Sequence, residues 1–240
     1  MKAFINWPIF TQTSIDSGSL TMLGSVLHNF SEPGIYMGTI LQNNEAVSTF
    51  QLIVDKDSPA TQVDIDLASL HQGKIKHSCS DDSKRFEVNP KGYAVFYVSR
   101  GSGGYSVVVG RLDENEKARL FFDSRELKEG DIFTATIIRP GLYTVTNIKT
   151  KSSGKIVVTY PKRGKVPFRP PRPKSIECNK DSLDPNKIEI HATQGQIYKI
   201  KTPSRIKIEL IEPDDGSKVE KERIKKKERQ TRKQKNKTSK

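Results

Sequence analysis

Short runs of β-branched and apolar residues, each ended by Gly, Pro, Asn or Asp, follow one another along most of the chain. Runs of this length at this spacing predict strands joined by turns, and residues 1–217 show no long helical periodicity. Two hairpins are predicted, one from residues 35–41 and 49–54, and one from residues 93–99 and 105–112 around the glycine-rich segment 101–104. Further strands are predicted at 119–122, 131–138, 142–146, 155–160, 187–191, 196–201 and 205–210.

These strands predict an all-β fold, an antiparallel Greek-key sandwich. One motif recurs: Glu32-Pro33-Gly34-Ile35-Tyr36 and Arg139-Pro140-Gly141-Leu142-Tyr143 each open a hairpin. Pro and Gly set the turn, while each Tyr can bury its ring and bond a backbone group through its hydroxyl. The recurrence is compatible with two small β modules, with two equivalent hairpins in one sandwich, or with chance.

The second of these hairpins resembles the C-terminal hairpin of cupredoxin-like sandwiches through Pro140, Gly141, Tyr143 and the strand 154–158. Ig-like domains use similar hairpins. The resemblance implies a β-sandwich without the copper site of cupredoxins. Asn147 stands where the family has its copper-binding Cys, and residues 148–153 contain neither His nor Met. We therefore expect no cofactor.

Composition changes along the chain suggest its organisation. We predict an N-terminal β module at 1–75, a central β-sandwich module at 86–160, and a small antiparallel β addition at 175–212. Residues 161–174 hold five prolines among basic residues, which favours an extended linker and formally fits a ligand of proline-recognising domains. A basic tail, which we expect to be disordered, occupies 213–240.

Charge is concentrated in that tail. Residues 218–240 hold 12 of the 41 Lys and Arg and three acids, whereas residues 1–217 hold 29 basic and 25 acidic groups. Cationic tails neutralise phosphates and release counterions, so the tail predicts contact with nucleic acid or an acidic protein. A tail that serves only solubility is the alternative. The residues predicted to bind the anion are Lys225, Lys226, Lys227, Arg229, Arg232, Lys233 and Lys235.

Candidate chemistry is sparse elsewhere. His71, His77, Cys79, Asp81 and Asp82 are potential zinc ligands, but a second Cys or His pair is missing, and Cys178 and His191 lie far along the chain. The glycine-rich segment 101–104 fits a hairpin turn better than a phosphate loop. A further set of hard oxygen ligands lacks the pattern of a calcium loop, and consists of Asp55, Asp57, Asp64 and Asp66. We predict no metal site and no catalytic residues.

The sequence contains no apolar run long enough to span a membrane, and its two cysteines fit a reducing compartment. It therefore predicts a cytoplasmic, non-enzymatic interaction or structural protein without membrane contact. Two alternatives stay open: a cytosolic enzyme or metal-dependent binder on a cupredoxin-like scaffold, and a β protein that assembles through exposed strand edges.

Overall fold

A computed structural model describes residues 7–71, 84–113, 118–160 and 171–214. The described part of the chain is all-β, with 58% of its residues in strands and 5% in helices. The elements in chain order are α1 (Trp7–Thr11), β1 (Ser14–Asp16), β2 (Gly24–His28), β3 (Gly34–Gln42), β4 (Glu45–Val54), β5 (Gln62–Asp66), α2 (Leu67–His71), β6 (Arg85–Val88), β7 (Tyr93–Tyr97), β8 (Tyr105–Leu112), β9 (Ala118–Asp123), β10 (Ile132–Thr136), β11 (Gly141–Asn147), β12 (Ser153–Thr159), β13 (Lys174–Cys178), β14 (Leu183–Asp184), β15 (Lys187–His191), β16 (Gly195–Ile200) and β17 (Ile206–Pro213).

The strands form three mixed sheets. A central sheet has the order β14-β13-β16-β10-β2-β7-β5, a first side sheet has the order β6-β4-β3-β8-β9, and a second side sheet has the order β1-β17-β11-β12-β15. Four pairs are parallel: β4 with β6, β5 with β7, β12 with β15, and β13 with β16. The other pairs are antiparallel.

The prediction of an antiparallel Greek-key sandwich, cupredoxin-like or Ig-like, is wrong, because the chain winds as a β-solenoid instead. From β4 to β7 it alternates between the first side sheet and the central sheet, so each strand lies parallel to the strand two further on. The path from β12 to β16 repeats this coil with the second side sheet. Parallel neighbours of this kind follow from a coil and not from hairpin connections.

One predicted hairpin is confirmed and the other is wrong. β3 and β4 pair across the turn at Asn43 and Asn44, which both have positive φ angles. By contrast, β7 lies in the central sheet and β8 in the first side sheet, so the glycine-rich segment 101–104 connects two sheets. Gly103 and Gly104 both have a φ of 83°, a conformation that only glycine adopts freely. The glycine-rich segment therefore makes a crossing between sheets and not a hairpin turn.

The two Pro-Gly-x-Tyr motifs occupy equivalent places. Gly34 pairs with Val54 at the start of β3, and Gly141 pairs with Val158 at the start of β11. Each Tyr buries its ring as predicted. The Tyr36 hydroxyl donates to the carbonyl of Glu32 at 2.7 Å, and the Tyr143 hydroxyl donates to the carbonyl of Arg139 at 2.8 Å.

The equivalence extends to every strand of the two halves except the short β14, which has no counterpart. We call the halves repeat 1 (residues 14–113) and repeat 2 (residues 118–214). In repeat 1, β3 pairs with β4 and β8, β4 with β6, and β7 with β2 and β5. In repeat 2, β11 pairs with β12 and β17, β12 with β15, and β16 with β10 and β13. The antiparallel pair of β2 and β10 joins the repeats at the middle of the central sheet. The strands of residues 175–212 are thus divided between two sheets and do not form a separate addition.

The first strand of each repeat completes a sheet of the other repeat. β1 pairs with β17, the last strand of repeat 2, while β9 pairs with β8, the last strand of repeat 1. Buried Ser17 exchanges two hydrogen bonds with the backbone of Ile206, at 2.9 and 3.0 Å, and buried Ser124 does the same with Val107, at 3.0 and 2.9 Å. This is the geometry of reciprocal strand exchange within one chain.

Side chains alternate across the strands, so each inward face adds to one continuous core. Phe96 of the central sheet stacks on Phe122 of the first side sheet, with ring centroids 5.6 Å apart. Near β1, Ile15 and Phe133 converge over Gly24, where an added Cβ would lie 3.3 Å from the Phe133 ring and 3.5 Å from Ile15. Among the described residues, no helix is both long and apolar enough to cross a membrane.

Candidate functional site

The predicted anion-binding residues of the tail lie outside the described part of the chain, as do His77, Cys79, Asp81 and Asp82. His71 is described, and its Nδ1 lies 2.9 Å from the Tyr105 hydroxyl. Cys178 is fully buried, and burial raises the pKa of its thiol to about 12. No group of three or more potential metal ligands occurs within residues 7–71, 84–113, 118–160 and 171–214.

The burial of Cys178 gives a prediction about thiol chemistry. In a Cys79→Ser variant, Cys178 should not react with a water-soluble disulfide reagent until the protein unfolds, because its thiol is inaccessible and protonated near neutral pH. Absorbance of the released thiolate measures the reaction in native buffer and in denaturant. Stoichiometric labelling within seconds in native buffer would contradict this placement.

The aspartates considered as oxygen ligands have local structural roles. Burial of Asp66 favours the neutral form, but hydrogen bonds from Ser69 and Ser99 outweigh burial and lower the pKa of its carboxyl group. The same carboxylate accepts the backbone N–H of Ala68 at 3.1 Å and so caps α2. Asp64 accepts a bond from Gln62 at 2.8 Å. Both carboxylates therefore accept hydrogen bonds from their own strand or from α2.

Asn147, at the position of the copper ligand in the resembled hairpin, is also structural. It is fully buried, and its amide donates to the Ser204 hydroxyl at 2.8 Å. Its carbonyl accepts the backbone N–H groups of Lys149 and Arg205, each at 3.2 Å. The side chain therefore fixes the turn after β11 to the loop before β17.

A histidine and an aspartate meet where the repeats join. His28 Nδ1 lies 2.5 Å from an oxygen of Asp131, whose other oxygen accepts the backbone N–H of Lys128 at 2.7 Å. The ring of His28 stacks on Phe122 at 4.4 Å and meets the edge of Phe30 at 4.5 Å. Its Nε2 is buried and has no hydrogen-bond partner among the described residues. The pair links the repeats, and no described nucleophile lies within bonding distance of that nitrogen.

An open cleft of about 340 Å³ lies between the turns that precede β3, follow β4 and precede β7. It is lined by Ser31, Pro33, Lys56, Asn89, Pro90 and Lys91. Neither Lys56 nor Lys91 forms an ion pair with a described residue, so the cleft carries positive charge. Both lysines are exposed, and Asn89 bonds only their backbone groups. The lining contains no aromatic side chain, so this is a weak site for a specific ligand.

The equivalent end of repeat 2 gathers several chain segments. The backbone N–H of Thr193 donates to Ile137, that of Ala192 donates to Thr159, and that of Asp214 donates to Pro140, at 2.8 to 3.0 Å. Gly141 pairs with both Val158 and Pro213. Consequently Tyr160 and Asp214, where the cationic segments 161–170 and 215–240 begin, lie at the same end of the second side sheet.

A buried glutamine fixes the exposed residues of this end. Gln194 donates from its amide to the carbonyl of Arg172 at 2.7 Å and accepts the backbone N–H of His191 at 3.1 Å. His191 Nδ1 in turn lies 3.1 Å from the Thr159 hydroxyl. Beside them, Tyr160 is 57% exposed. We define the root surface as the exposed Tyr160, Arg172 and Lys174 together with the half-buried His191.

Sequence reasoning missed the root surface, since its members come from three separate parts of the chain. It also missed the His28 and Asp131 pair, which are 103 positions apart. Only the topology brings these residues together. Comparison with protein-family models, with curated proteins and with solved structures finds no match.

Proposed function

We propose that this chain is a non-enzymatic binding protein whose basic tail contacts a polyanion, and that the polyanion is nucleic acid. The separation of charge carries the proposal: residues 218–240 have a net charge of +9, whereas residues 1–217 are nearly balanced. A regular array of phosphates matches such a tail, because binding releases condensed counterions and needs no fixed tail structure.

The charges of the two repeats support the same function. Repeat 1 contains 8 Lys and Arg against 11 Asp and Glu, whereas repeat 2 contains 19 against 11. The two halves therefore carry net charges of opposite sign, −3 for repeat 1 and +8 for repeat 2. The tail continues from the basic half, so long-range attraction would orient repeat 2 towards a polyanion.

The test compares the full chain with residues 1–217. Fluorescence anisotropy measures binding to labelled single-stranded and duplex RNA and DNA at about 50 and 200 mM salt, a range over which six to ten phosphate contacts lose roughly 10³ to 10⁵ in affinity. We expect salt-sensitive binding by the full chain, and at least about a hundredfold weaker binding after truncation at low salt.

Two further tails serve as controls. A tail with its residues in shuffled order should bind as the native tail does, because the contact depends on charge. Replacing the seven predicted anion-binding residues by Gln should reproduce the truncation. Equal binding by the full and truncated chains would refute the proposal, and binding only to an acidic polypeptide such as polyglutamate would replace nucleic acid as the partner.

A further inference from the structure

We infer that the root surface of repeat 2 binds single-stranded nucleic acid, with Tyr160 stacking on an unpaired base and Arg172 and Lys174 contacting phosphates. This rests on the proposed function and specifies its substrate. The tail alone gives affinity without distinguishing single strands from duplexes. A surface fixed on the folded body can make that distinction.

The position of the root surface is the first argument. Tyr160 directly follows β12, whose end lies beside Gly141, and Gly141 also pairs with Pro213 at the end of β17. The tail starts there. A nucleic-acid strand bound by the tail is therefore at high effective concentration next to Tyr160, and a second contact costs little additional entropy.

The chemistry of the root surface is the second argument. Single-stranded nucleic acid is bound by cationic grooves combined with aromatic rings on which bases stack. Residues 218–240 contain no Phe, Tyr or Trp. Tyr160 is one of the large apolar or aromatic side chains that the folded body leaves more than half exposed. It supplies the ring that the tail lacks, at the end of the fold where Gln194 links Arg172 to His191.

Preorganisation is the third argument. The buried Gln194 side chain holds the carbonyl of Arg172 and the backbone of His191, and the parallel pairing with β16 fixes Lys174 opposite Gln196. The backbone of the cationic residues is thus in place before a ligand arrives. Binding then immobilises only the side chains, which lowers its entropic cost.

Repeat 1 provides a matched reference. Val54 and Val158 occupy equivalent places opposite Gly34 and Gly141, so Lys56 in repeat 1 corresponds to Tyr160. Lys56 is exposed like Tyr160, but it carries no ring. A Lys56→Ala variant therefore controls for removal of a large side chain at the same structural position.

The experiment uses full-length protein and fluorescein-labelled oligo(dT), with a duplex of equal length for comparison. We expect Tyr160→Ala to weaken oligo(dT) binding about fivefold or more, to leave duplex binding unchanged and to keep the salt slope. Tyr160→Phe should bind as the unmodified chain does. Arg172→Ala should reduce the magnitude of the salt slope by about one. Lys56→Ala should leave the preference for single strands unchanged.

Unchanged oligo(dT) affinity of Tyr160→Ala would overturn the inference, as would an equal loss on the duplex. If binding still required the tail in those cases, the proposed function would stand without the root surface. If the full-length protein bound neither probe, the inference and the proposed function would both be refuted. Circular dichroism of each variant excludes loss of fold as the cause.

Discussion

We expect deletion of residues 1–17 to lower the free energy of unfolding by about 5 kcal/mol, which is comparable to the whole stability of many domains. The deletion removes β1, the strand that repeat 1 supplies to the second side sheet. Removal of buried Ile15 leaves a cavity near Phe133. Ile206 also loses its two bonds with Ser17, one to the backbone N–H and one to the hydroxyl. Arg205 also loses Asp16, which accepts its guanidinium through both oxygens at 2.9 and 3.0 Å.

Urea denaturation followed by far-ultraviolet circular dichroism measures the loss. Because the truncated chain is expected to fold poorly, Ile15→Ala gives a second measurement on an intact chain, with an expected cost of about 3 kcal/mol. Ser14→Ala, at an exposed position of the same strand, should change the stability by less than about 0.5 kcal/mol. Equal midpoints for these two variants would show that β1 is not seated in the core.

The exchange of first strands also predicts how cooperatively the two repeats unfold. Each repeat depends on a strand of the other, so the repeats should unfold in one transition and not in two. Hydrogen exchange of β8 and β17 would report on repeat 1 and repeat 2 separately. In Ile15→Ala both strands should lose protection together. Loss confined to β17 would contradict the coupling.

We expect replacement of Asp131 by Ala to lower the free energy of unfolding by about 3 kcal/mol. Asp131 is 2% exposed and bonds both His28 and the backbone of Lys128. The substitution would remove the hydrogen-bond partner of the His28 side chain, which lies between Phe30 and Phe122. A buried polar group that loses its partner keeps its desolvation cost.

A double variant separates this cause from simple cavity formation. His28→Phe with Asp131→Leu replaces both polar groups by apolar ones and should recover most of the loss, apart from about 1 kcal/mol for the bond to Lys128. Asp64→Ala, at an exposed site, is the control and should change little. Thermal melts of the four proteins decide the point: a double variant no more stable than Asp131→Ala would show that the pair does not act as a unit.

The sequence indicated the β class and one half of the repeat. Pro33-Gly34-x-Tyr36 and Pro140-Gly141-x-Tyr143 were visible as a recurrence, and both motifs make the expected turn and tyrosine bond. A second recurring motif, upstream of the first, is also present in the sequence but was not predicted. Asp16-Ser17-x-x-Leu20 and Asp123-Ser124-x-x-Leu127 are separated by the same 107 positions as the two Tyr residues. Extending the comparison upstream would have revealed it.

Strand partners could not be derived in the same way. Alternation of apolar and polar residues shows which face of a strand is buried, but it does not show which strand lies beside it. The segment 101–104 illustrates this, because glycines suit a hairpin turn and a crossing between sheets equally well. The parallel coils and the root surface depend on such crossings, and so they became visible only in three dimensions.

The exchanged strands also set the order in which the molecule can be completed during synthesis. β1 pairs with β17, with Ser14 opposite Glu209. At ordinary elongation rates β1 is synthesised roughly 10 to 40 s before β17. Repeat 1 has no such delay, since β9 follows β8 almost immediately. The nascent chain therefore carries an early strand that lacks its partner until β17 has been synthesised.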